Sequence, residues 1–249
     1  MSEAAEEFLP GIAFIINQSF NRPFSKQDVN LLTRTFQPFN ITVVNWSDKN
    51  LNEIKQSMKA LKKDWKEKYN HFEYVIMVHL SHGHCDETVL YQTENAEVHE
   101  LVSIQKLLLN PLFKIEELNG KLKWLIVQAC KGNDEFADAK TEGGTISLAR
   151  QKYFTDYFLK SFSTSEGGVS RRFYLTGAYF INRFCEQFTA NAERKGVLEI
   201  MEDTGAELRN YLRKDLTETL QLQQPAENHR NFPGDFYLAR RLSHKNFQI

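Results

Sequence analysis

Short, continuous apolar segments alternate with amphipathic segments along the first half of the chain. The apolar segments lie at residues 11–16, 41–44, 74–80 and 122–127. Runs this short, with no polar face, are typical of strands buried on both sides in a parallel sheet. A further strand is predicted to end at residues 162–164, and a last strand is predicted to begin near residues 236–238.

Apolar residues at helical spacing predict five helices. The clearest pattern follows Asp48, with apolar residues three or four positions apart at Leu51, Ile54, Met58, Leu61 and Trp65. The spacing of Ser25 and Asp28 predicts a capping box at the start of a helix that runs to about residue 36. The other three helices are predicted around residues 101–108, ending at Asn110-Pro111, and around 181–188 and 198–212.

The alternation of strands and helices predicts an α/β fold with parallel crossovers. It stops near Gly132, after which residues 132–142 are rich in Asp, Glu, Ala and Lys without a clear period. We interpret this stretch as an exposed linker. Residues 214–235 are polar and are predicted to be irregular.

Composition and charge narrow the function classes. The chain has 249 residues and a net charge of −1, so its overall charge favours neither a nucleic acid nor a membrane surface as partner. It has no apolar run near the roughly 20 residues that span a bilayer, and no secretory signal. Its three cysteines argue against a disulfide framework. These observations predict a soluble, cytoplasmic protein.

Reactive side chains follow two of the predicted strands. Ser81-His82-Gly83-His84 follows the strand at 74–80, and Gln128-Ala129-Cys130-Lys131-Gly132 follows the strand at 122–127. Because the carboxyl ends of parallel strands meet at one edge of a sheet, His82 and Cys130 are expected to lie together. A positioned imidazole can take the proton of a thiol, and backbone N–H groups at Gly83 and Cys130 can stabilise an oxyanion. The pair predicts a cysteine nucleophile with a histidine base.

Two other interpretations of these residues stay open from the pattern alone. Either side chain by itself is more often an ordinary buried or hydrogen-bonded residue. His82, His84 and Cys85 are three zinc-type ligands, but their crowding within four positions suits tetrahedral coordination poorly. We therefore predict no metal and no cofactor.

The two motifs resemble the catalytic signatures of the caspases. The pattern Gln-Ala-Cys, with a histidine about 50 positions upstream, is similar to the motif of that family, and the likeness extends from Gly11 to about Leu242. The resemblance implies a caspase-like α/β fold with a central, mostly parallel six-stranded sheet between helical layers. It also implies a cysteine endopeptidase that cuts after aspartate in exposed segments of protein substrates.

The resemblance also implies a pocket for the substrate aspartate. The positions that match this pocket are Arg22, Gln128 and Arg172, and Ser170 and Arg171 match the adjoining substrate-binding segment. Two arginines suit a carboxylate because each guanidinium offers a planar fork of donors. The chain departs from the family pattern at three places, which are Lys131 for arginine, Arg171 for an aromatic residue, and Pro23-Phe24 for small residues.

The family's organisation implies a division of the chain. Residues 1–11 are expected to be a short disordered N-terminus, 12–132 the large-subunit region, 133–160 the intersubunit linker and 161–249 the small-subunit region. An effector-like enzyme with almost no prodomain is expected, activated by linker cleavage and dimerisation. The candidate processing sites are Asp134, Asp138 and Asp156. The implied partners are a second copy or another caspase, and inhibitor-of-apoptosis proteins, in apoptosis or a related protease cascade.

Two further function classes compete with an active caspase. The departures at Pro23, Lys131 and Arg171 are compatible with a weak or inactive decoy that pairs with an active paralogue. A legumain-like or gingipain-like peptidase shares His-Gly and Ala-Cys strand ends. Those enzymes favour Asn, Arg or Lys before the cut, and a pocket with two arginines argues against them.

Overall fold

The computed structural model describes most of the chain. The described residues are 7–95, 97–132, 140–141, 157–165, 167–173, 176–215, 227–231 and 234–240. Within these ranges the helices and strands form an α/β fold around one large sheet.

Six strands make the central sheet, and they confirm the predicted mostly parallel architecture. Four of the strands are β1 (Gly11–Asn17), β2 (Ile41–Asn45), β3 (Tyr74–Leu80) and β7 (Leu122–Gln128), of which β2 lies at an edge of the sheet. The sheet is completed by β9 (Phe158–Phe162) and β12 (Glu227–Asn231), and its order is β12-β9-β7-β3-β1-β2. All neighbours are parallel except β12 and β9. Every residue of β1, β3 and β7 is buried, as their apolar sequences predict.

Helices cover both faces of this sheet and give three layers. One face carries α1 (Ser25–Phe36), α4 (Tyr179–Asn191) and α5 (Val197–Asp215). The other carries α2 (Leu51–Asp64), a π-helical turn at Trp65–Tyr69, a second π-helical turn at Gln105–Leu109 and the short α3 (Asn110–Phe113). Each face has its own apolar core, because successive residues of a strand point to opposite sides.

A smaller sheet adjoins the end of β3. It contains β4 (Gly83–His84), β5 (Thr88–Gln92), β6 (His99–Ser103) and β8 (Lys140–Thr141), in that order. A two-stranded ribbon joins β10 (Arg172–Phe173) to β11 (Gly177–Ala178). Single 3₁₀ turns lie at Gln37–Phe39 and Glu116–Leu118.

The structure corrects several element predictions. Residues 101–103, predicted as the start of a helix, belong to β6, because Leu101 and Val102 are both buried and pair with β5. Helical backbone also extends past Asn110-Pro111, because the short helix α3 begins at Asn110 and accepts Pro111 in its first turn, where no N–H is needed. Among the described residues, no strand starts at 236–238, and the last strand is β12 at 227–231. Its polar sequence suits a sheet edge and carries no buried-strand pattern.

The starts of two helices also differ from prediction. The helix α2 begins at Leu51, and Asn50 with Glu53 forms its capping box, so Asp48 lies outside it with a left-handed φ of 54°. No side chain caps α1, which begins after Phe24 at a φ of 63°. The predicted cap pair therefore serves other contacts, of which Asp28 makes the most important.

Parts of the predicted disordered and linker segments are ordered. Phe8 pairs with Ala239, and the side chain of Glu7 lies 2.8 Å from Arg240, so residues 7–11 belong to the fold. Residues 140–141 pair with β6, and residues 158–160 already belong to β9. Residues 1–6 of the predicted N-terminal segment, and residues 133–139 and 142–156 of the predicted linker, lie outside the described residues.

None of the helices in the described ranges is long and apolar enough to span a bilayer.

Candidate active site

The register of the central sheet places the two predicted catalytic segments side by side. Leu80 is paired with Gln128 at the carboxyl ends of β3 and β7. One residue further, the N–H of Ser81 donates to the carbonyl oxygen of Gln128 at 3.2 Å. His82 and Cys130 each lie two positions beyond the last strand pair, so both follow the same edge of the sheet. Both are half-buried.

Gly83 makes the close approach of these two segments possible. A Cβ atom at this position would overlap the carbonyl oxygen of Cys130 and would lie 2.7 Å from the Cβ of Ala129. The backbone after the histidine therefore packs directly against the backbone of the cysteine. Only glycine fits there without moving one segment.

A backbone carbonyl orients the His82 ring. His82 Nε2 lies 2.9 Å from the carbonyl oxygen of Phe20, in the loop that follows β1. A carbonyl oxygen only accepts hydrogen bonds, so Nε2 carries the proton and donates it. In the neutral ring Nδ1 is then the basic nitrogen, which is the tautomer that a general base requires.

The sulfur of Cys130 contacts the predicted substrate-binding segment. The N–H of Ser170 lies 3.4 Å from Cys130 Sγ, and the carbonyl oxygen of Ser170 lies 3.9 Å from the same sulfur. Lys131 and Gly168 continue this contact, since the N–H of Lys131 donates to the carbonyl of Gly168 at 2.9 Å. The structure thus brings Cys130 and Ser170 together.

Arg22 is a buried cation at the base of this edge. It is 3% exposed, and its Nη1 donates to Asn17 Oδ1 at 3.0 Å and to the carbonyl of Gln18 at 2.9 Å. Its Nη2 has no hydrogen-bond partner among the described residues. Burial and, to a smaller extent, the charge of Arg172 lower the pKa of Arg22 to about 9, against the opposing effects of Asp28 and Cys130.

Asp28 connects the two predicted pocket arginines. Its Oδ2 accepts a hydrogen bond from Arg172 Nη1 at 2.7 Å and lies 3.9 Å from Arg22 Nη2. Its Oδ1 accepts from the N–H of Ala178 at 2.7 Å. Arg172 Nη2 also donates to the carbonyl of Pro23 at 3.1 Å, so the Pro23-Phe24 departure is compatible with an anchored arginine. The structure therefore brings Arg22 and Arg172 together around one buried carboxylate.

Gln128 and Arg171 occupy different positions relative to this pair. Gln128 is buried and donates from Nε2 to Ser170 Oγ at 2.5 Å, while its Oε1 has no partner among the described residues. The Gln128 side chain therefore contacts the Ser170 side chain at the carboxyl end of β7. Arg171 is half-buried, and its carbonyl accepts from the N–H of Tyr179 at 3.2 Å.

Lys131, which replaces the arginine expected from the family pattern, is buried next to Cys130 in the chain. Its Nζ lies 3.7 Å from the centre of the Phe162 ring, a cation–π contact that suits a compact ammonium. This contact gives the departure from the family pattern a structural role in the core under β9.

The remaining predicted residues are distributed as follows. His84 and Cys85 contact each other, with Nδ1 2.9 Å from Sγ. In the part of the chain that the structure describes, no three His, Cys, Asp or Glu side chains form a group suited to a metal. Asp134, Asp138 and Asp156 lie outside the described residues.

Two contributors were absent from the sequence prediction. The Phe20 carbonyl belongs to the main chain and leaves no mark in the sequence. In the sequence, the local spacing of Asp28 indicates only a helix cap. Its full burial, which is unusual for a carboxylate unless a cation pairs with it, is a property of the fold.

Comparisons with known proteins agree with this geometry. The family model described as "Caspase domain" matches residues 10–237. Mouse caspase-3 is 30% identical over 207 residues, which cover 77% of this chain and 69% of the relative. Rabbit caspase-3 (Oryctolagus cuniculus) is also 30% identical over 207 residues, with the same coverage. Mouse caspase-8 is 27% identical over 173 residues, which cover 64% of this chain and 34% of that protein.

Proposed function

Since the chain belongs to the caspase family of cysteine peptidases, we propose that it is an active endopeptidase that hydrolyses peptide bonds after aspartate. The observation that carries the proposal is the pairing of Arg22 and Arg172 around Asp28, beside the edge where His82 and Cys130 follow adjacent strands.

The chemistry begins with removal of the thiol proton. His82 donates from Nε2 to the Phe20 carbonyl and offers Nδ1 as the base for the Cys130 proton. The resulting thiolate attacks the carbonyl carbon of the scissile bond, and a new S–C bond forms. The imidazolium then returns its proton to the leaving amine as the C–N bond breaks. Water, deprotonated by the same histidine, hydrolyses the thioester and frees Cys130.

The oxyanion of the tetrahedral intermediate needs donors at the same edge. We assign this role to the backbone N–H groups of Gly83 and Cys130. This assignment is supported by the direct packing of Gly83 on the Cys130 backbone, which fixes the two segments relative to each other. Donors held rigidly before reaction stabilise the developing charge without reorganisation.

The substrate aspartate occupies the pocket of Arg22, Arg172 and Gln128. Arg22 Nη2 and Arg172 Nε are buried and have no hydrogen-bond partner among the described residues, so each has a donor to offer a carboxylate. An amide rotation at Gln128 turns its Nε2 from Ser170 toward the same ligand. Ser170 and Arg171 bind the substrate backbone and its neighbouring side chain.

A cleavage assay tests the proposal. The purified full chain is incubated with peptides that differ only in the residue before the cut, which is Asp, Glu, Asn or Lys, and Cys130→Ala serves as the blank. We expect cleavage of the Asp peptide only, with no signal from the blank. Equal signals from both proteins would identify the weak or inactive decoy, and preference for Asn or Lys would identify another peptidase class.

Activation by linker cleavage and dimerisation is part of the proposal. The family relationship supports protein substrates and pairing with a second caspase chain. Asp134, Asp138 and Asp156 are the proposed processing sites within 133–160. Mass spectrometry after expression should find cuts in that segment, and an intact 29.0 kDa chain with full activity would contradict activation by cleavage. Inhibitor-of-apoptosis proteins as partners, a cytoplasmic location and a role in apoptosis belong to the same proposal.

A further inference from the structure

A groove on the α2 face of the molecule combines an apolar floor with a cationic rim. It encloses about 450 Å³ between α2 and the segment that runs from β6 to the end of α3. Its floor is formed by apolar side chains, and its rim carries only lysines. The floor residues are Met58, Val102, Leu107 and Pro111, and the rim residues are Lys55, Lys59, Lys62, Lys106 and Lys114.

The lysines of the rim come from two separate elements and face one space. Lys55, Lys59 and Lys62 are spaced four and three apart, which places them on one face of α2. Lys106 and Lys114 approach from the opposite side. Lys55 also lines a neighbouring cavity together with Glu94 and Glu100.

The other four rim lysines have no carboxylate partner among the residues that the structure describes. No acidic residue lines the groove, and none of Lys59, Lys62, Lys106 and Lys114 forms an ion pair with the acidic residues that the structure describes. Some lysines elsewhere on the surface are paired, as Lys63 of α2 is with Glu67 of the π-helical turn that follows it. Like charges around one cavity repel each other, and an anion bound among them relieves that repulsion.

The size and lining of the groove select the ligand class. A volume near 450 Å³ suits a small organic molecule. Lysine ammonium groups are common ligands of phosphate, which they bind as point charges. An apolar floor beneath them suits a planar ring, whose burial removes apolar surface from water. Both requirements are met by a nucleoside di- or triphosphate, with its phosphates at the rim and its base on the floor.

We propose that this groove is a binding site for nucleoside polyphosphates, separate from the proposed protease site. The phosphates bind to Lys59, Lys62, Lys106 and Lys114. The base packs on Met58, Leu107 and Pro111. The proposal is independent of proteolysis, because it uses none of the residues assigned to catalysis or to the aspartate pocket.

Isothermal titration calorimetry on the full chain, in buffer with EDTA, tests the site. ATP should bind at one site with a Kd below about 1 mM, and inorganic triphosphate should bind about tenfold more weakly because it lacks the base. The double variant Lys59→Glu with Lys106→Glu should weaken ATP binding at least about tenfold. A thermal melt confirms that this variant is folded.

The matched control changes the same net charge outside the groove. Lys26 and Lys66 are exposed on α1 and on the π-helical turn after α2. Lys26→Glu with Lys66→Glu should leave ATP binding unchanged. The proposal is overturned if ATP gives no saturable binding, if the control variant loses as much affinity as the groove variant, or if inorganic triphosphate binds as tightly as ATP.

Discussion

Asp28 Oδ2 binds Arg172 Nη1 at 2.7 Å, and this contact joins the first helix to a ribbon 144 positions further along the chain. The carboxylate is fully buried and has Arg22 as a second cationic neighbour at 3.9 Å. It therefore compensates the charge of two arginines that would otherwise be costly to bury together. We infer that Asp28 positions the acid-binding pocket rather than contacting substrate.

Replacing this carboxylate by its neutral isostere should destabilise the fold. In Asp28→Asn the amide still reaches the N–H of Ala178, but the two arginines lose their shared counter-charge. The free energy of unfolding should fall by about 3 kcal/mol, which urea denaturation measures. Asp64→Asn is the control, because its partner Lys68 is largely exposed on a helix surface and the pair should matter little. Equal stability of Asp28→Asn and the wild-type chain would contradict the assigned role.

Asp28 also illustrates which parts of the fold and of the site can be predicted from the sequence alone. The central strands were predictable because strands buried on both faces have continuous apolar sequences, as in β3 and β7. The location of the candidate site was predictable from the topology, because the carboxyl ends of neighbouring parallel strands lie at the same edge of the sheet. Asp28 was assigned to a helix cap because local spacing is visible in a sequence, whereas its partner Arg172 is distant along the chain.

Other features have no sequence signal at all. The Phe20 carbonyl that orients His82 is a main-chain atom, and any residue type supplies it. The polar strand β12 lies at the sheet edge, where one side pairs with β9 and alternation is not required. The spacing of Leu101, Ile104 and Leu108 predicts a helix from residue 101, although residues 99–103 are extended in β6 and helical backbone begins only after them. In both β6 and β12, pairing with a neighbouring strand determines the extended conformation, and the local sequence pattern does not.

Adding one methyl group at Gly83 should impair the site. The new Cβ in Gly83→Ala meets the Cys130 carbonyl, a main-chain atom that cannot rotate away, so the two segments must separate. We expect kcat/KM on an Asp peptide to fall at least about tenfold and stability to fall by about 1–3 kcal/mol. Gly120→Ala is the control, since its φ of 72° costs stability while its Cβ would meet nothing within 4 Å. Unchanged kcat/KM in Gly83→Ala would contradict the close packing.

An ion pair anchors the turn that follows the segment of His82, the proposed general base. Lys160 Nζ on β9 lies 2.6 Å from both carboxylate oxygens of Glu87, whose φ is 53°. The side chains are 12% and 25% exposed, so solvent screens this pair only partly. A double-mutant cycle with Lys160→Met and Glu87→Gln should give a coupling energy of about 1 kcal/mol.

The same cycle on an exposed pair provides the reference. Lys63 and Glu67 are 3.8 Å apart and are 76% and 53% exposed. Their coupling energy should be close to zero and should vanish in salt. If the Lys160–Glu87 coupling is no larger than this reference, the pair does not stabilise the loop.

His79 should make stability depend on pH in the acid range. Its ring is fully buried on β3, with Nε2 2.6 Å from the Tyr91 hydroxyl. Burial, together with the charge of Arg22, lowers the pKa of His79 from 6.5 to about 3. Between these values the unfolded chain binds a proton that the folded chain does not, so stability is full above pH 6.5 and falls as the pH decreases toward 3. This one group should remove about 2 kcal/mol between pH 7 and pH 5.

Urea denaturation at pH 7 and pH 5 isolates the contribution of His79. The variant His79→Gln should lose about 2 kcal/mol less than the wild-type chain over this interval, because it has no ring to protonate. His71→Gln should behave like the wild-type chain, since His71 is exposed. An NMR titration of the folded wild-type chain provides a check that needs no variant, because the His79 ring signals should not shift between pH 7 and pH 5. A midpoint near 6.5 for those signals would show that burial does not keep His79 neutral, and the predicted loss of stability would then have another source.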